Sequence, residues 1–376
     1  MNAPSRSQRK APALFGQSVL VLQGGGALGA YQLGVYEALH EAGVEPDWVV
    51  GTSIGAINGA IIAGNRPADR LKRLHAFWEA MEIDRNSPWA RSLLALGGPW
   101  GLRMAHANTI AAGLPGFFKP NPRAALGQDA RLGIEQASYY STEPLRETLA
   151  GLVDFDHLAT GPTRLTVGAV NANTGAMRYF CSHKERLSVD HVMASGALPP
   201  AFPAVRIDGE PYWDGGIYSN TPVEVVLDDN PRRDSTIIAV QLWSPEDQEP
   251  QTLREINERQ KDIQFSTRDE THIRRQQQTH KLRHIIREIS RRLPDRLRQS
   301  PDMKELCAWG CGTTMHVLRL HAPRLDGEDA HKDIDFTRLG IQARWRAGLE
   351  HGRRMLDRQD WTRPVDPSDG VVIHDI

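Results

Sequence analysis

The chain has 376 residues, which is enough for one large domain with an appendage or for two modest domains. Its formal net charge of -1, with 24% charged residues, argues against a protein that binds nucleic acid through its overall charge. The three cysteines, Cys181, Cys307 and Cys311, are too few for a disulfide framework, and no second pair of zinc ligands accompanies the last two. The composition therefore predicts reduced thiols and no zinc site.

The N-terminal residues 1–15 are polar and contain proline, which predicts a disordered tail. They carry basic residues but no apolar run of signal-peptide length. The longest apolar segment, residues 48–64, is interrupted by Thr52, Ser53 and Asn58, which is typical of a buried strand, turn and helix. We therefore expect a soluble cytoplasmic protein whose contact with membranes, if it has any, is peripheral.

Short apolar runs alternate with helical patterns in the first part of the chain. Residues 18–22 predict a buried strand, and the glycine-rich run 24–29 leads into a helical pattern that reaches Leu39. Residues 48–50 predict a second strand, which is followed after a short turn by the helix-like run 56–63. Strands that alternate with helices at this spacing predict an α/β domain with a mainly parallel sheet.

The middle of the chain predicts more helices and strands. Residues 66–150 are mostly helical in pattern and include an apolar loop, 113–118, which fits either an acyl-chain channel or core packing. Residues 164–180 predict a β-hairpin, Ser188 is placed to cap a helix, and residues 236–243 predict another buried strand.

The composition changes near residue 249, and residues 249–376 are predicted to form a mainly helical C-terminal extension. Residues 268–298 contain ten Lys or Arg against four Asp or Glu. Apolar side chains recur among them at helical spacing, at Leu282, Ile285, Ile286, Ile289 and Leu293. Such a basic amphipathic helix could lie on an anionic lipid surface or on a partner. A helix that packs its apolar stripe on the main domain is more common, and this is the arrangement we favour.

The pentapeptide at residues 51–55 reads Gly-Thr-Ser-Ile-Gly and lies between a predicted strand and a predicted helix. This is the context of a nucleophile elbow, in which the backbone turns sharply through a serine. The small residues Gly51 and Gly55 let such a turn close without a Cβ clash and leave the oxygen of Ser53 exposed. The pattern predicts acyl transfer through Ser53, although a plain glycine-rich turn with a solvated serine has the same form.

The run at residues 24–29, Gly-Gly-Gly-Ala-Leu-Gly, fits two kinds of site. It matches the Gly-x-Gly-x-x-Gly pattern of a dinucleotide site, which also needs an acidic residue at the end of the second strand to bind a ribose. The second strand runs instead into Ser53, which argues against a nicotinamide enzyme. In a hydrolase the same loop can supply backbone N–H groups to the oxyanion of a tetrahedral intermediate, and loss of one such donor typically raises the barrier by about 3 kcal/mol.

A serine nucleophile needs a base, and the sequence offers two kinds. Histidines after Asp214, among them His272, His280, His284 and His316, would allow a Ser-Asp-His triad. They lie in a charged helical region, however, where a solvated histidine is the usual case. Asp214 follows an apolar run and precedes a glycine turn. A carboxylate with an ordinary pKa of about 3.9 is a weak base in water, but in a partly desolvated pocket it can accept the proton of an attacking serine.

Together these residues resemble the patatin-like phospholipase family over roughly residues 17–245. The glycine loop, the elbow and the Asp214-Gly215-Gly216 turn occur in that family's order, and residues 194–203 and 220–222 look like its flanking segments. The resemblance implies a three-layer α/β/α fold with a mainly parallel central sheet in residues 16–248. The mainly helical extension, residues 249–376, would follow this domain.

The resemblance also implies a site: a Ser-Asp dyad without histidine, in which Ser53 is the acylated nucleophile and Asp214 is the base. The implied reaction is hydrolysis of lipid acyl esters, with no metal and no cofactor. Many members of the family carry Arg or Lys where this chain has Leu28, so electrostatic help from that cation is missing here. The implied oxyanion-hole amides are those of Gly25 and Gly26, with Gly24 or Ala27 as further donors, and the motif glycines are Gly29, Gly51, Gly55, Gly215 and Gly216.

We therefore expect a serine acyl hydrolase of lipid carboxylic esters, of the phospholipase A type. Its expected partners are a lipid or ester substrate and a peripheral membrane or granule surface, with no nucleic acid. Two alternatives stay open. One is an intracellular polyhydroxyalkanoate depolymerase that uses the same dyad, and the other is a catalytically weak lipid-binding regulatory protein, which Leu28 and the charged extension suggest.

Overall fold

The computed structural model of the chain describes residues 12–83, 92, 98–246, 249–325, 328 and 331–376. Nine of the eleven strands in this described part form one central sheet, and β3 and β4 form a small separate ribbon. The strands are β1 (Gln17–Leu22), β2 (Trp48–Gly51), β3 (Lys119–Pro120), β4 (Tyr140–Ser141), β5 (Arg164–Asn171), β6 (Met177–Cys181), β7 (Val205–Ile207), β8 (Glu210–Asp214), β9 (Ser235–Gln241), β10 (Met315–His321) and β11 (Val371–Asp375).

The helices are α1 (Ala30–Glu41), α2 (Ile54–Ala63), α3 (Pro67–Ala80), α4 (Gly98–Ala112), α5 (Glu143–Leu152), α6 (Phe155–Thr160), α7 (Val189–Ser195), α8 (Glu224–Leu227), α9 (Leu253–Arg292), α10 (Asp295–Arg298), α11 (Pro301–Ala308) and α12 (Arg338–Arg358). Short 3-10 turns lie between several of them. None of the helices in the described residues combines the length and the apolar character that a membrane crossing requires.

The central sheet has the strand order β11-β10-β9-β1-β2-β5-β8-β7, with β6 on the other edge of β5. All neighbours from β11 to β5 pair in parallel, and β6, β7 and β8 pair antiparallel. Strands β5 and β6 form the predicted hairpin. A mainly parallel sheet needs cover on both faces, which explains why its strands read as continuous apolar runs.

Helices cover the two faces of the sheet and so confirm the three-layer α/β/α prediction. Along β1, Leu20 and Leu22 point to one face and join a core that includes residues of α1, α2 and α3. Val19 and Val21 point to the other face and pack with residues of α8 and with Ile273 of α9. Each layer is therefore tied to the sheet by alternate side chains of the same strand.

The C-terminal region is mainly helical, as predicted, but it also contributes two strands to the central sheet. Strand β10 pairs in parallel with β9, and β11 pairs in parallel with β10. Helix α12 packs along α1, with Gly348 of α12 so close to Tyr31 that a Cβ on Gly348 would overlap the Tyr31 carbonyl oxygen. The sheet is thus continuous across the predicted boundary between residues 248 and 249.

The long helix α9 packs with a different face from the one that the sequence favours. The apolar side chains Leu282, Ile285 and Ile289 are 61%, 41% and 57% exposed. The buried face of the same stretch carries His280 and His284 instead. The other two residues of the stripe, Ile286 and Leu293, are half-buried. The interpretation that the apolar stripe packs on the main domain is therefore wrong for three of its five residues.

Part of the predicted N-terminal tail contacts the body of the protein. The backbone N–H of Phe15 donates to Thr236 Oγ1 at 3.1 Å, and the Thr236 hydroxyl donates back to the Phe15 carbonyl at 2.9 Å. The indole of Trp361 donates to the carbonyl of Ala13 at 3.2 Å. Residues 1–11 of the predicted tail lie outside the described residues.

Candidate active site

Ser53 lies between β2 and α2, in the strand-turn-helix context that the sequence predicts. Its backbone has φ 55° and ψ -122°, a conformation that residues other than glycine rarely adopt. Such a residue costs about 1–3 kcal/mol and persists only where surrounding contacts enforce it. Here the Ser53 N–H donates to both the carbonyl oxygen and the Oγ of Ser195, each at 3.1 Å. The turn is held by these two bonds.

The two motif glycines of the elbow allow close backbone packing. A Cβ on Gly51 would overlap the carbonyl of Gly55, and a Cβ on Gly55 would overlap the carbonyl of Leu22 in β1. Helix α2 therefore starts directly against the end of the sheet, and it carries the partly exposed Ser53 at its first turn.

Asp214 is brought to Ser53 by the arrangement of three strands. Strand β2 pairs with β5 as far as Gly51 opposite Val167. Strand β8 runs in the opposite direction along the same edge of β5 and ends with Asp214 opposite Ala169. Since these two positions on β5 are two residues apart, or about 7 Å, the carboxyl ends of β2 and β8 meet head to head.

The carboxylate of Asp214 is buried, with 2% of the residue exposed. Its Oδ1 accepts a hydrogen bond of 2.7 Å from the N–H of Gly216. Burial raises the pKa of Asp214 from its ordinary value of 3.8 to about 7, although the Gly216 N–H and the nearby Ser53 side chain oppose the change. The carboxyl group therefore accepts a proton far more readily than an aspartate in water.

The glycine loop borders the serine, as the resemblance implies. A Cβ on Gly24 would lie 3.1 Å from the Ser53 Cβ. Gly26 has φ +56°, which favours glycine. Within the described residues, the N–H groups of Gly25, Gly26 and Ala27 meet no hydrogen-bond acceptor. This part of the loop therefore has backbone donors that the fold itself does not use.

Leu28 follows these donors and is buried, with 4% exposure. It lines a cavity of about 210 Å³ that is also bordered by Tyr31, Leu242, Lys332 and Arg344. The cations that line this cavity, Arg324, Lys332 and Arg344, all come from the C-terminal region.

The remaining motif glycines also mark close backbone contacts. A Cβ on Gly29 would lie close to the side chain of Ile54, next to the elbow. A Cβ on Gly215 would lie 2.5 Å from the carbonyl oxygen of Gly168 in β5, and one on Gly216 would lie 3.1 Å from Asp214 Oδ1. These glycines let the loop, the elbow and the aspartate turn come together.

The structure places three of the candidate triad histidines in other contacts. His280 Nε2 lies 2.9 Å from the Leu227 carbonyl, and His316 Nδ1 lies 3.0 Å from His374 Nε2. The two ring nitrogens of His284 lie 3.0 and 2.8 Å from the carbonyl oxygens of Pro367 and Thr313. All three histidines are buried, so the expectation of solvated rings is wrong for them. The side chain of His272 lies outside the described residues.

The apolar loop 113–118 packs inside the protein. Phe117 and Phe118 are each 8% exposed, and both rings contact Phe202. Of the two interpretations left open for this loop, the structure supports core packing.

Asn220 connects the parts of the site, a role that its sequence position alone does not reveal. Its Nδ2 donates to the carbonyl of Gly24 at 3.1 Å and to that of Phe265 in α9 at 3.2 Å. Its Oδ1 would lie 2.9 Å from a Cβ on Gly216. The sequence signal for it was the segment Asn220-Thr221-Pro222, which the resemblance marks only as flanking.

Within the described parts of the chain, no group of three or more His, Cys, Asp or Glu residues is arranged to hold a metal ion.

A family model described as patatin-like phospholipase matches residues 20–227, which is more than half of the chain. The chain belongs to the patatin-like phospholipase family. A second family model, described as patatin phospholipase, matches residues 263–368 of this patatin-like chain, so the C-terminal region also resembles a known family segment.

Several curated relatives match a short part of the patatin-like chain. Patatin-like phospholipase domain-containing protein 6 of Homo sapiens is 42% identical over 92 residues, which are 24% of this chain and 6% of the relative. Lysophospholipase nte1 of Aspergillus terreus is 58% identical over 62 residues, 16% of this chain and 4% of the relative. Neuropathy target esterase sws of Drosophila melanogaster is 37% identical over 99 residues, 26% of this chain and 7% of the relative. The matched segments thus span only a small fraction of these relatives.

Two solved structures are similar to the patatin-like chain at low sequence identity. VipD from Legionella pneumophila is 14% identical, with a TM-score of 0.36, and the match covers 91% of this chain and 67% of that chain. The ExoU–SpcU complex of Pseudomonas aeruginosa is 19% identical, with a TM-score of 0.28, and the match covers 77% of this chain and 58% of that chain.

Proposed function

We propose that this protein hydrolyses lipid carboxylic esters through an acyl-enzyme on Ser53, with Asp214 as the base. The observation that carries the proposal is that β2 and β8 end head to head along β5 and so bring the Ser53 turn to the buried Asp214 carboxylate, whose pKa is raised to about 7. A base with a pKa near the working pH is the most effective proton acceptor. The partly exposed position of Ser53 in its turn is consistent with attack on a substrate.

The proposed reaction has two halves. Ser53 Oγ attacks the ester carbonyl carbon while Asp214 takes the hydroxyl proton, and the carbonyl oxygen becomes an oxyanion. The N–H groups of Gly25 and Gly26, with Ala27 as a further donor, stabilise this oxyanion. The N–H of Gly24 instead donates to the Asn220 carbonyl oxygen at 3.2 Å, so it is not available for this role. The intermediate then expels the alcohol, which takes the proton from Asp214. Water attacks the acyl-enzyme in the same way and gives a carboxylic acid and free Ser53.

The proposed substrate class is lipid esters, with phospholipids or lysophospholipids as the first candidates. The support is the family match and the name of the lysophospholipase relative.

Hydrolysis by wild type, Ser53→Ala and Asp214→Asn tests the proposal. The assay measures acid release from a chromogenic ester and from phospholipid vesicles. We expect wild type to be active and each variant to lose at least about a thousandfold in kcat, because each removes a group that acts in the chemical step. The matched controls are Ser290→Ala and Asp129→Asn, whose residues lie outside the site, and both should keep wild-type rates. Full activity in either site variant would rule out the dyad.

The same proteins distinguish the alternative functions. Release from native polyhydroxyalkanoate granules without release from phospholipid vesicles would favour a polyester depolymerase. A fluorophosphonate probe should label wild type but not Ser53→Ala. Unlabelled wild type that still binds vesicles would indicate a lipid-binding regulatory protein.

A further inference from the structure

The C-terminal region reaches the glycine loop through the backbone of α9. The carbonyl oxygen of Phe265 accepts hydrogen bonds from the side chains of Gln23 and Asn220, each at 3.2 Å. Gln23 immediately precedes the loop, and Asn220 also donates to the Gly24 carbonyl. One carbonyl of the C-terminal helix therefore fixes both side chains that flank the start of the loop.

A second contact from the C-terminal region reaches the loop at Gly26. The 3-10 turn Lys332–Ile334, here called the strap, passes so close to Gly26 that a Cβ there would overlap the carbonyl oxygen of Asp333. The strap thus packs directly on Gly26, whose N–H is one of the donors that meet no acceptor in the described residues.

Two ion pairs fasten the strap to α9. Lys332 Nζ lies 2.7 Å from Asp262 Oδ1, with side chains that are 9% and 2% exposed. Lys261 Nζ lies 3.0 Å from Asp333 Oδ1, with side chains that are 41% and 24% exposed. Lys332 also lies over the ring of Trp243, whose indole donates to the Gly24 carbonyl at 2.8 Å. The strap, α9 and the glycine loop therefore form one contact network.

The loop has little internal restraint of its own. It contains three consecutive glycines and one of them has positive φ, so its backbone is free to adopt several conformations. Oxyanion donors, however, must lie about 2.7–3.1 Å from the developing charge. A displacement of about 1 Å can cost a hundredfold in rate. Contacts from outside the loop must therefore hold its N–H groups in position.

We propose that the C-terminal region positions the glycine loop for catalysis, with Lys332 as a positioning residue that keeps the strap on Gly26. The inference rests on the proposed function, in which the loop amides bind the oxyanion. The strap contacts the loop at Gly26, the Phe265 carbonyl binds the side chains of Gln23 and Asn220 at its start, and neither needs to touch the substrate.

Lys332→Met tests the inference through kinetics and hydrogen exchange. We expect kcat to fall roughly tenfold or more with KM within about twofold, because only the transition state uses the loop amides. Backbone hydrogen exchange should accelerate in peptides that span residues 23–33. Lys332→Arg should restore most of the wild-type kcat and most of the wild-type protection from exchange. The matched control is Lys281→Met, which removes an exposed ion pair between α9 and Asp369 and should change neither kcat nor exchange.

A second variant covers the case in which Lys332→Met fails to fold, since it leaves the buried Asp262 without its partner. Lys261→Met removes the more exposed pair with Asp333 and should change kcat and exchange in the same direction, by roughly threefold in kcat. Wild-type kcat and wild-type exchange in the folded variants, with only a lower melting temperature, would overturn the inference. Inactive wild type would overturn the proposed function instead, and the exchange data would still decide whether the strap orders the loop.

Discussion

At the scale of single residues, the protonation of Asp214 controls both the proposed chemistry and the stability of the fold. Its carboxyl group is buried, and burial raises its pKa to about 7 against the opposing effects of the Gly216 N–H and the Ser53 side chain. Below that pH the native protein holds a neutral acid that cannot accept a proton. Above it the protein holds a buried negative charge.

The first prediction concerns the pH dependence of activity. Because the base must be ionised, log(kcat/KM) should rise with unit slope as pH increases and level off above about 7. The measurement is a kcat/KM profile from pH 5 to 9 with a substrate that does not itself titrate. A profile that is flat across this range, or that falls as pH passes 7, would contradict the assignment of Asp214 as base.

The second prediction concerns stability. The folded pKa of Asp214 lies above the unfolded value, so the native state holds the proton more tightly between pH about 4 and about 7. The contribution of this group to the free energy of unfolding is therefore complete below pH 4 and is lost as pH rises through 7. Asp214→Asn stays neutral, so at pH 8 it should be more stable than wild type by roughly a few kcal/mol. Denaturant unfolding at pH 4.5 and 8 measures this.

The exposed Asp129→Asn is the control for that comparison and should show no such difference between the two pH values. An Asp214→Asn protein that is less stable than wild type at pH 8 would mean that hydrogen bonds to the ionised carboxylate offset the cost of burying its charge.

At the scale of elements, the elbow depends on backbone contact between α2 and β1. Gly55 lies against the carbonyl of Leu22, where no side chain fits. Gly55→Ala should displace the start of α2, lower stability by about 1–3 kcal/mol and reduce kcat at least tenfold. Thermal unfolding and ester hydrolysis measure the two effects. Gly151→Ala is the control, since a Cβ there meets nothing within 4 Å in helix α5, and it should be neutral or stabilising. An active, stable Gly55→Ala protein would show that the elbow tolerates displacement of the start of α2.

The elements also show which sequence signals were reliable. The strand-turn-helix around Ser53 and the β5–β6 hairpin follow from local patterns, because apolar runs and turn residues lie next to one another in the chain. The packing face of α9 could not be predicted from the local pattern. This face carries His280 and His284, whose ring nitrogens lie within hydrogen-bond distance of backbone carbonyls. Periodicity of apolar residues cannot reveal such a face, because the burial of a histidine depends on acceptors from distant segments.

Strand β10 was missed for a related reason. His316 lies in it and is buried against His374 of β11, with the two rings stacked at 5.3 Å. A polar residue at a core position interrupts the apolar run by which a buried parallel strand is recognised. The contacts from Phe265 and Asp333 to the glycine loop were equally hidden, since they use backbone carbonyls that any residue supplies.

At the scale of the whole molecule, the C-terminal region completes the sheet that carries the site. Strand β9 pairs with β1 on one side and with β10 on the other. Helix α12 covers α1, the helix that follows the glycine loop, in contact close enough that Gly34 and Gly348 are needed for the two backbones to pass. Loss of the region would thus uncover an apolar sheet edge and one face of α1 together.

The last prediction follows from that geometry. A chain that ends at residue 248 would leave the fully buried strand Ser235–Gln241 as an open edge, with its backbone N–H and C=O groups unpaired on one side. An apolar edge of this kind favours pairing between copies and aggregation. We expect a much larger insoluble fraction for this truncated protein than for the full chain when both are expressed in the same way. A soluble, monomeric fragment that unfolds cooperatively and hydrolyses esters at the full-chain rate would show instead that the first 248 residues fold alone, and it would remove the C-terminal region from the proposed catalytic apparatus.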